Sequence, residues 1–278
     1  MADLMTRATP APNVQATGKG RRWLRRPPPS VASRLRRISA VVLPFVFWDL
    51  AAAASENRLF PGPFTVFEVL YDNLADGTVW FHAQLTFQRG LAGLAIAILV
   101  GVPLAVLLAR VRWVDAALQP LIVATYPVPK LALFPLLILL LGFGAASKVA
   151  MVAIECAYPI ILTTYAGIRA IDKHYFWLAQ NVGAGPGARF ALMMRAAAPA
   201  LMASLRLATP IMLVIIVVTE LIGESRGLGY LIRRAGGDFE PATALAMILL
   251  LGIIGFVLDR LIVALTKRVT RFSPKVQL

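Results

Sequence analysis

The sequence predicts an all-α membrane protein with about six transmembrane helices, and three observations predict it. Apolar residues without glycine make up 59% of the 278 residues and the mean hydropathy is +0.74, whereas a soluble domain is about 45–50% apolar even with glycine counted. Charged residues are only 15%, and they cluster. Six segments are apolar over roughly the 20 residues that a spanning helix needs: 38–55, 85–109, 116–143, 149–168, 199–222 and 241–265. The formal net charge of +14 does not point to nucleic acid, whose binders are polar and spread their charge over an exposed face. Lys and Arg gathered in loops on one side of a membrane fit better. The single cysteine, Cys156, excludes a disulfide framework and a cysteine metal site. It reads as a small buried apolar residue.

Residues 1–37 are polar, basic and Pro-rich, with Arg21, Arg22, Arg25 and Arg26 ahead of Pro27, Pro28 and Pro29. Such a stretch buries too little apolar surface to offset its ordering entropy and reads as a mobile tail. Arg21-Arg22 and the alanines 51–54 also raise an export signal with a cleavage site. The long gap to the apolar run, and the further apolar segments, favour an uncleaved first anchor at 38–55. That anchor is short and carries Asp49 near its far end. Residues 56–84 form the external segment. Residues 85–268 form the core domain, and 269–278 a C-terminal tail. The third span holds Pro120, Pro127, Pro129 and Pro135. Each proline removes a donor and favours a kink, so this span is expected to be bent or broken beside protein or a water-filled cavity. The fifth span has Arg206 about two turns in.

Orientation follows from Lys and Arg. With the N-terminus in the cytoplasm, the tail, the 110–112 loop, the 169–206 region and the C-terminal end all lie inside. Arg58, Arg89, Lys148, Arg226, Arg233 and Arg234 are left at or near the outer edge. The bias places both termini in the cytoplasm and makes 169–198 the only long internal loop there. That loop runs DKHYFWLAQNVGAGPGARFALMM from Asp172 to Met194. Residues 172–182 have helical periodicity. Gly183, Gly185 and Gly187 with Pro186 force a turn, and a second amphipathic stretch, 188–195, leads into the fifth span. A helix, a turn and a second helix suit docking onto a partner. An interfacial helix on lipid headgroups, helped by Trp177, is the open alternative.

The chain resembles the integral-membrane permease subunit of bacterial ABC importers, in the nitrate/sulfonate/taurine-type branch. The resemblance covers about 60–274 and rests on FPGPFTVFEVL (60–70), YPVPKLALFPLLILLLGFGAASKV (126–149), YPIILTTYAGIRAID (158–172) and TELIGESRGLGYLI (219–232). It implies the type I importer permease fold in an inner membrane, with a cytoplasmic coupling helix in 172–195 that enters a cleft of a separate ATPase. The family's coupling motif falls on Trp177, Leu178 and Ala179, then Gly183. Trp177 stands where the family has an acid and Leu178 where it has its first alanine. Arg195-Ala196 replaces the closing Leu-Pro, unless Pro199 fills the proline role. An acid-to-Trp change offers a large apolar anchor, so this loop is expected to dock by apolar burial. The resemblance assigns coupling to Trp177, Leu178, Ala179, Gln180, Gly183, Ala184, Arg189 and Phe190. It implies an ATPase partner that binds ATP and Mg, a second permease copy, and a periplasmic or lipid-anchored binding protein.

No Gly-x4-Gly-Lys-Ser/Thr loop occurs. His82 and His174 fit no HExxH pattern, and no Gly-x-Ser-x-Gly is present. The expectation is a transport subunit with no catalytic residues, no metal and no cofactor of its own. Charged residues at membrane depth usually face a cavity or a partner. Lys130, Glu155 and Glu220 are the candidates, with Tyr126, Pro127 and Pro129 at the proline break. Lys130 and Glu155 fall within about one turn of the same depth and are expected to pair, as a gate that screens an anion or as a purely structural bridge. Tyr158 is a further candidate for the path. The glycines at 90 and 93, 142 and 144, and 252 and 255 read as close-packing sites. Gly227 and Gly229 read as an external re-entrant turn. A six-span membrane enzyme or signalling protein is the reading from another class. It would need catalytic polar residues at depth or an appended cytoplasmic domain, and the sequence shows neither. An ATP-independent carrier would show two related halves, and no internal repeat is seen. The substrate reads as a small anion such as nitrate, sulfonate or taurine, with a vitamin precursor or aromatic acid as the alternative.

Overall fold

The computed structural model describes residues 31–55 and 59–272. Most of the stretch read as a mobile tail, 1–30, and the end of the chain, 273–278, lie outside the described residues. The chain divides into two units, 1–47 and 48–278. The described part of the first is the N-terminal portion of one helix, and the packed bundle is built within the second.

Among the described residues every regular element is helical. Helix α1 (Val31–Ser55) begins seven residues inside the expected tail. Its stretch Val42–Ser55 is apolar and makes up most of the expected first span at 38–55. Helix α2 (Pro63–Ala75) occupies the segment read only as external. Four helices are long and apolar enough to cross a membrane: α3 (Thr78–Arg110), α6 (Ala145–Arg169), α8 (Pro186–Leu221) and α10 (Pro241–Val269). Between α3 and α6 lie α4 (Arg112–Thr125), a 3-10 turn (Lys130–Leu133) and α5 (Phe134–Leu141). This pair of segments passes the same test together but is bent by 91°, as the prolines of the third span predict. Pro127 and Pro129 fall in the gap, and Pro135 starts α5, where its missing N–H is harmless. Among the described residues, four continuous helices and a broken fifth thus match five of the about six expected spans, and the expected first span, 38–55, lies on α1. Helix α7 (Lys173–Asn181) and helix α9 (Leu228–Gly237) complete the order.

Helices α3, α6 and α8 form the core. Ala97, Val152, Cys156, Ile160, Met212 and Ile216 are buried together there with Phe134 from α5. Small residues let the helices approach. A Cβ on Gly93 would lie 2.6 Å from Val152, and one on Gly101 3.1 Å from Ile160. Of the three glycine pairs read as packing sites, only the first behaves so throughout. Gly142 and Gly144 meet nothing within 4 Å and form the turn between α5 and α6, with Gly142 at φ 80. Gly252 also faces open space, while Gly255 packs against Leu213. Cys156 is buried and its thiol donates to the Ala208 carbonyl at 3.5 Å, a packing role as expected. A second cluster joins α2, α3, α9 and α10 through Val66, Leu70, Val79, Leu228 and Met247. A third, of Ile168, Met193 and Ala197, seats Phe176 of α7 at the opposite end of the bundle.

Candidate functional site

Three places hold the candidate residues. The first is the insert between α6 and α8. Asp172 caps α7, accepting from the His174 N–H at 2.9 Å. The His174 ring nitrogen lies 2.6 Å from the same carboxylate oxygen. The backbone N–H and then the ring of His174 hold the Asp172 carboxyl below its ordinary range. The helix stops at Gly183 (φ 75). The Gly183 N–H bonds the Gln180 carbonyl at 3.0 Å and the Ala184 N–H bonds the Ala179 carbonyl at 2.9 Å. This is a Schellman stop, which only a residue tolerant of the left-handed region closes cheaply. Phe176 and Ala179 turn inward, while Trp177, Leu178 and Val182 remain 59%, 63% and 73% exposed. Gln180 is exposed as well. Phe190 is 50% exposed on the first turns of α8, and Arg189 beside it has a buried Nε without a hydrogen-bond partner among the described residues. The stretch 188–195, read as a separate short helix, is continuous with the fifth span in one helix that also runs through Pro199 and Pro210.

The second place is the break in the third span. Tyr126, Pro127, Val128 and Pro129 are exposed there, while Lys130 is only 7% exposed. Lys130 does not pair with Glu155, contrary to the sequence expectation. Its ammonium donates to the carbonyls of Tyr126 at 2.9 Å and Val128 at 3.3 Å and lies 4.0 Å from the centre of the Tyr158 ring. The physical reason is the proline break itself. It frees backbone carbonyls, and a flexible cation next in sequence satisfies them. An aromatic face adds attraction without a counter-ion. Glu155 is half-buried on α6. The Tyr158 hydroxyl and Thr125 Oγ1 are 2.9 Å apart, tying α6 to α4.

The third place is the loop between α8 and α9, which sequence reasoning treated as a turn. Glu220 is fully buried. It accepts from Arg89 at 3.0 Å, from the Thr86 hydroxyl at 2.8 Å and from the Gly229 N–H at 3.1 Å. Thr86 Oγ1 in turn accepts the Leu228 N–H at 2.9 Å, and His82 Nδ1 accepts the Gly227 N–H at 2.9 Å. Gly227 sits at φ 118, and a Cβ there would collide with the Glu220 carboxylate. Two further charges join. Arg89 lies 3.5 Å and Lys148 2.8 Å from Glu224. Burial pushes the Glu224 carboxyl up, but Lys148, the Ser225 N–H and Arg89 outweigh it and hold it below the usual carboxylate range. Arg89, Lys148 and Glu224 were not singled out from the sequence. A usable signal was there: Arg89 and Lys148 fall at the same edge as the two acids of TELIGES. The places are thus separate. Glu220 belongs to this network, at the opposite end of α8 from the α7 insert, and Lys130 belongs to the break.

The chain matches the model of the "binding-protein-dependent transport system inner membrane component" family over residues 67–271. It is 29% identical over 243 residues to the taurine transport system permease protein of Escherichia coli (strain K12), covering 85% of this chain and 88% of that one. It is 31% identical over 216 residues to the formylaminopyrimidine transport permease protein of Halalkalibacterium halodurans, covering 76% and 86%. Among solved structures, the methionine ABC transporter MetNI in an inward-facing form matches with a TM-score of 0.56 at 18% identity, over 69% of this chain and 94% of that one. That likeness concerns the fold alone. With four apolar spanning helices and a broken fifth, matched by this family model over most of its length, the chain belongs to the binding-protein-dependent transport inner-membrane components and is a multi-pass ABC importer permease subunit.

Proposed function

We propose that this chain forms the translocation path of the importer and couples it to a separate ATPase through the loop 172–195. The observation that carries the coupling is the capped α7, which presents Trp177, Leu178 and Val182 outward from a stem seated by Phe176. Such a contiguous apolar tip marks a protein partner. Trp at its centre is the residue type that anchors interfaces most strongly. In this reading α7 and both termini face the cytoplasm, two permease copies enclose the path, and ATP and Mg bind only in the ATPase. A periplasmic or lipid-anchored binding protein delivers the substrate at the α9 end, and nucleic acid has no part. The path passes the break at Tyr126, Pro127 and Pro129, with Lys130, Glu155 and Glu220 as its charged candidates. The residues 38–55 act as an anchor outside the 85–268 core.

The substrate in this reading is a small anion such as nitrate, a sulfonate or taurine. Lys130, buried with only backbone carbonyls as hydrogen-bond acceptors and no carboxylate bridge among the described residues, and relatives named for taurine and aliphatic sulfonates support it. The relative named for formylaminopyrimidine supports a vitamin precursor as the second reading. A thermal-shift screen of the cognate binding protein against taurine, alkanesulfonates, nitrate and formylaminopyrimidine separates the two. Coupling is tested by Trp177→Glu in the complex reconstituted with its ATPase. Removal of an interface anchor costs about 2 kcal/mol, or about 30-fold in affinity, so ATPase binding and coupled uptake should fall together. Unchanged coupling in that variant contradicts the proposal.

A further inference from the structure

The charge network around Glu220 divides into a tightly enclosed half and a half that ties two loops, each with a left-handed glycine. In the enclosed half, Glu220 is fully buried between Thr86, Arg89 and the Gly229 N–H, and no side chain fits on Gly227 or Gly229. The other half is Lys148 and Glu224. Lys148 is 1% exposed. All three ammonium protons have acceptors, and these belong to two different loops. Two are the carbonyls of Phe143 at 2.7 Å and Gly144 at 3.2 Å, in the turn that ends α5. The third is Glu224 Oε2 at 2.8 Å, in the α8–α9 loop. Each loop has a glycine in the left-handed region next to this tie, Gly142 at φ 80 and Gly223 at φ 83. The place of a Cβ on Gly142 is open, and that of one on Gly223 meets only the Phe143 ring, at 3.2 Å. Helix α5 is eight residues long, and its Leu139 and Leu140 are 82% and 70% exposed. Its start is a bent joint beside Lys130, so its far end is placed by the turn that Lys148 holds.

We propose that Lys148 and Glu224 form a latch that ties the second half of the broken span to the α8–α9 loop and holds the path shut at that end. Lys148 is then a positioning residue, acting on the path through the backbone of Phe143 and Gly144. Glu224 is the releasable side of the tie, since its side chain is 12% exposed and Arg89 stands 3.5 Å away to receive it when Lys148 lets go. Glu220 keeps Arg89 and the loop registered while α5 swings.

The inference rests on the coupled-importer reading, and the test keeps the two apart. Glu224→Gln, Lys148→Met and the double variant are purified as the full complex with ATPase, and ATP turnover is measured without binding protein. Glu224→Gln should assemble normally and raise that uncoupled turnover about 5-fold or more, the low end of allosteric coupling. The double variant should add little, because both changes open the same contact. Should Lys148→Met fail to assemble through its stranded carbonyls, Glu224→Gln still decides. A Glu224→Gln complex with a lowered unfolding midpoint and wild-type turnover makes the pair a static staple and overturns the latch. Failure of the wild-type chain to bring down an ATPase overturns the coupling reading itself, and the latch with it.

Discussion

Gly93→Ala probes the α3–α6 crossing most sharply, because the structure fixes both the obstacle and the control. The added methyl would lie 2.6 Å from the Val152 Cβ and Cγ1 and 2.8 Å from the Val149 carbonyl. Carbon atoms prefer about 3.5–4.0 Å, so the two helices must part by about 1 Å. Neither neighbour can give way. One is a β-branched side chain at 0% exposure and the other is backbone. Overpacking of this kind costs about 1–3 kcal/mol, and the better helix propensity of Ala returns up to about 1 kcal/mol. With the full propensity gain the net loss is about 0–2 kcal/mol, so the variant should fall below Gly252→Ala by about 1–3 kcal/mol. Gly252→Ala gains the same propensity and meets nothing within 4 Å, so it should be neutral or slightly stabilising. Unfolding of both variants in mixed micelles, followed by tryptophan fluorescence, gives the comparison directly. Equal midpoints for the two would refute the packing argument for this crossing.

Lys130→Met removes the donor from the Tyr126 and Val128 carbonyls, which costs about 1–3 kcal/mol of stability. Uptake of an anionic substrate should fall by more than the loss of assembled complex explains, and Lys130→Arg should retain part of it. Full uptake with only lowered stability would end the path role of Lys130. Asp172→Ala deprives α7 of its cap, so ATPase coupling should weaken while the unfolding midpoint of the bundle stays near wild type. Glu224 titrates below the ordinary carboxylate range. Its stabilising contribution is therefore complete above the unfolded value near ~4.3 and is lost as pH falls through the lower folded value. The midpoint difference between wild type and Glu224→Gln should shrink below about pH 4, and a difference independent of pH would contradict the ion pairs.

Much of the architecture was legible because bilayers impose length and hydropathy on each span. The proline break was readable from Pro127 and Pro129, and the α7 helix and its glycine stop from the 172–187 run. The Lys130–Glu155 pair failed for a definable reason. Matching depth along two helices says nothing about rotation about either axis, and the nearest acceptors for Lys130 were the carbonyls that its own prolines had freed. The Arg89–Glu220–Glu224–Lys148 network joins residues more than 70 positions apart, and no local periodicity encodes such contacts. Gly252 resembled Gly93 in the sequence, yet only the latter faces a neighbouring helix.

The central claim is that the exposed tip of α7 is where a separate motor engages this permease. A photo-reactive amino acid placed at Leu178, which is 63% exposed, tests it in intact membranes. The account predicts an irradiation-dependent adduct with an ATPase chain that carries a phosphate-binding loop, lost when Trp177→Glu is added. An adduct only with lipid, or with a protein on the opposite side of the membrane, would contradict it.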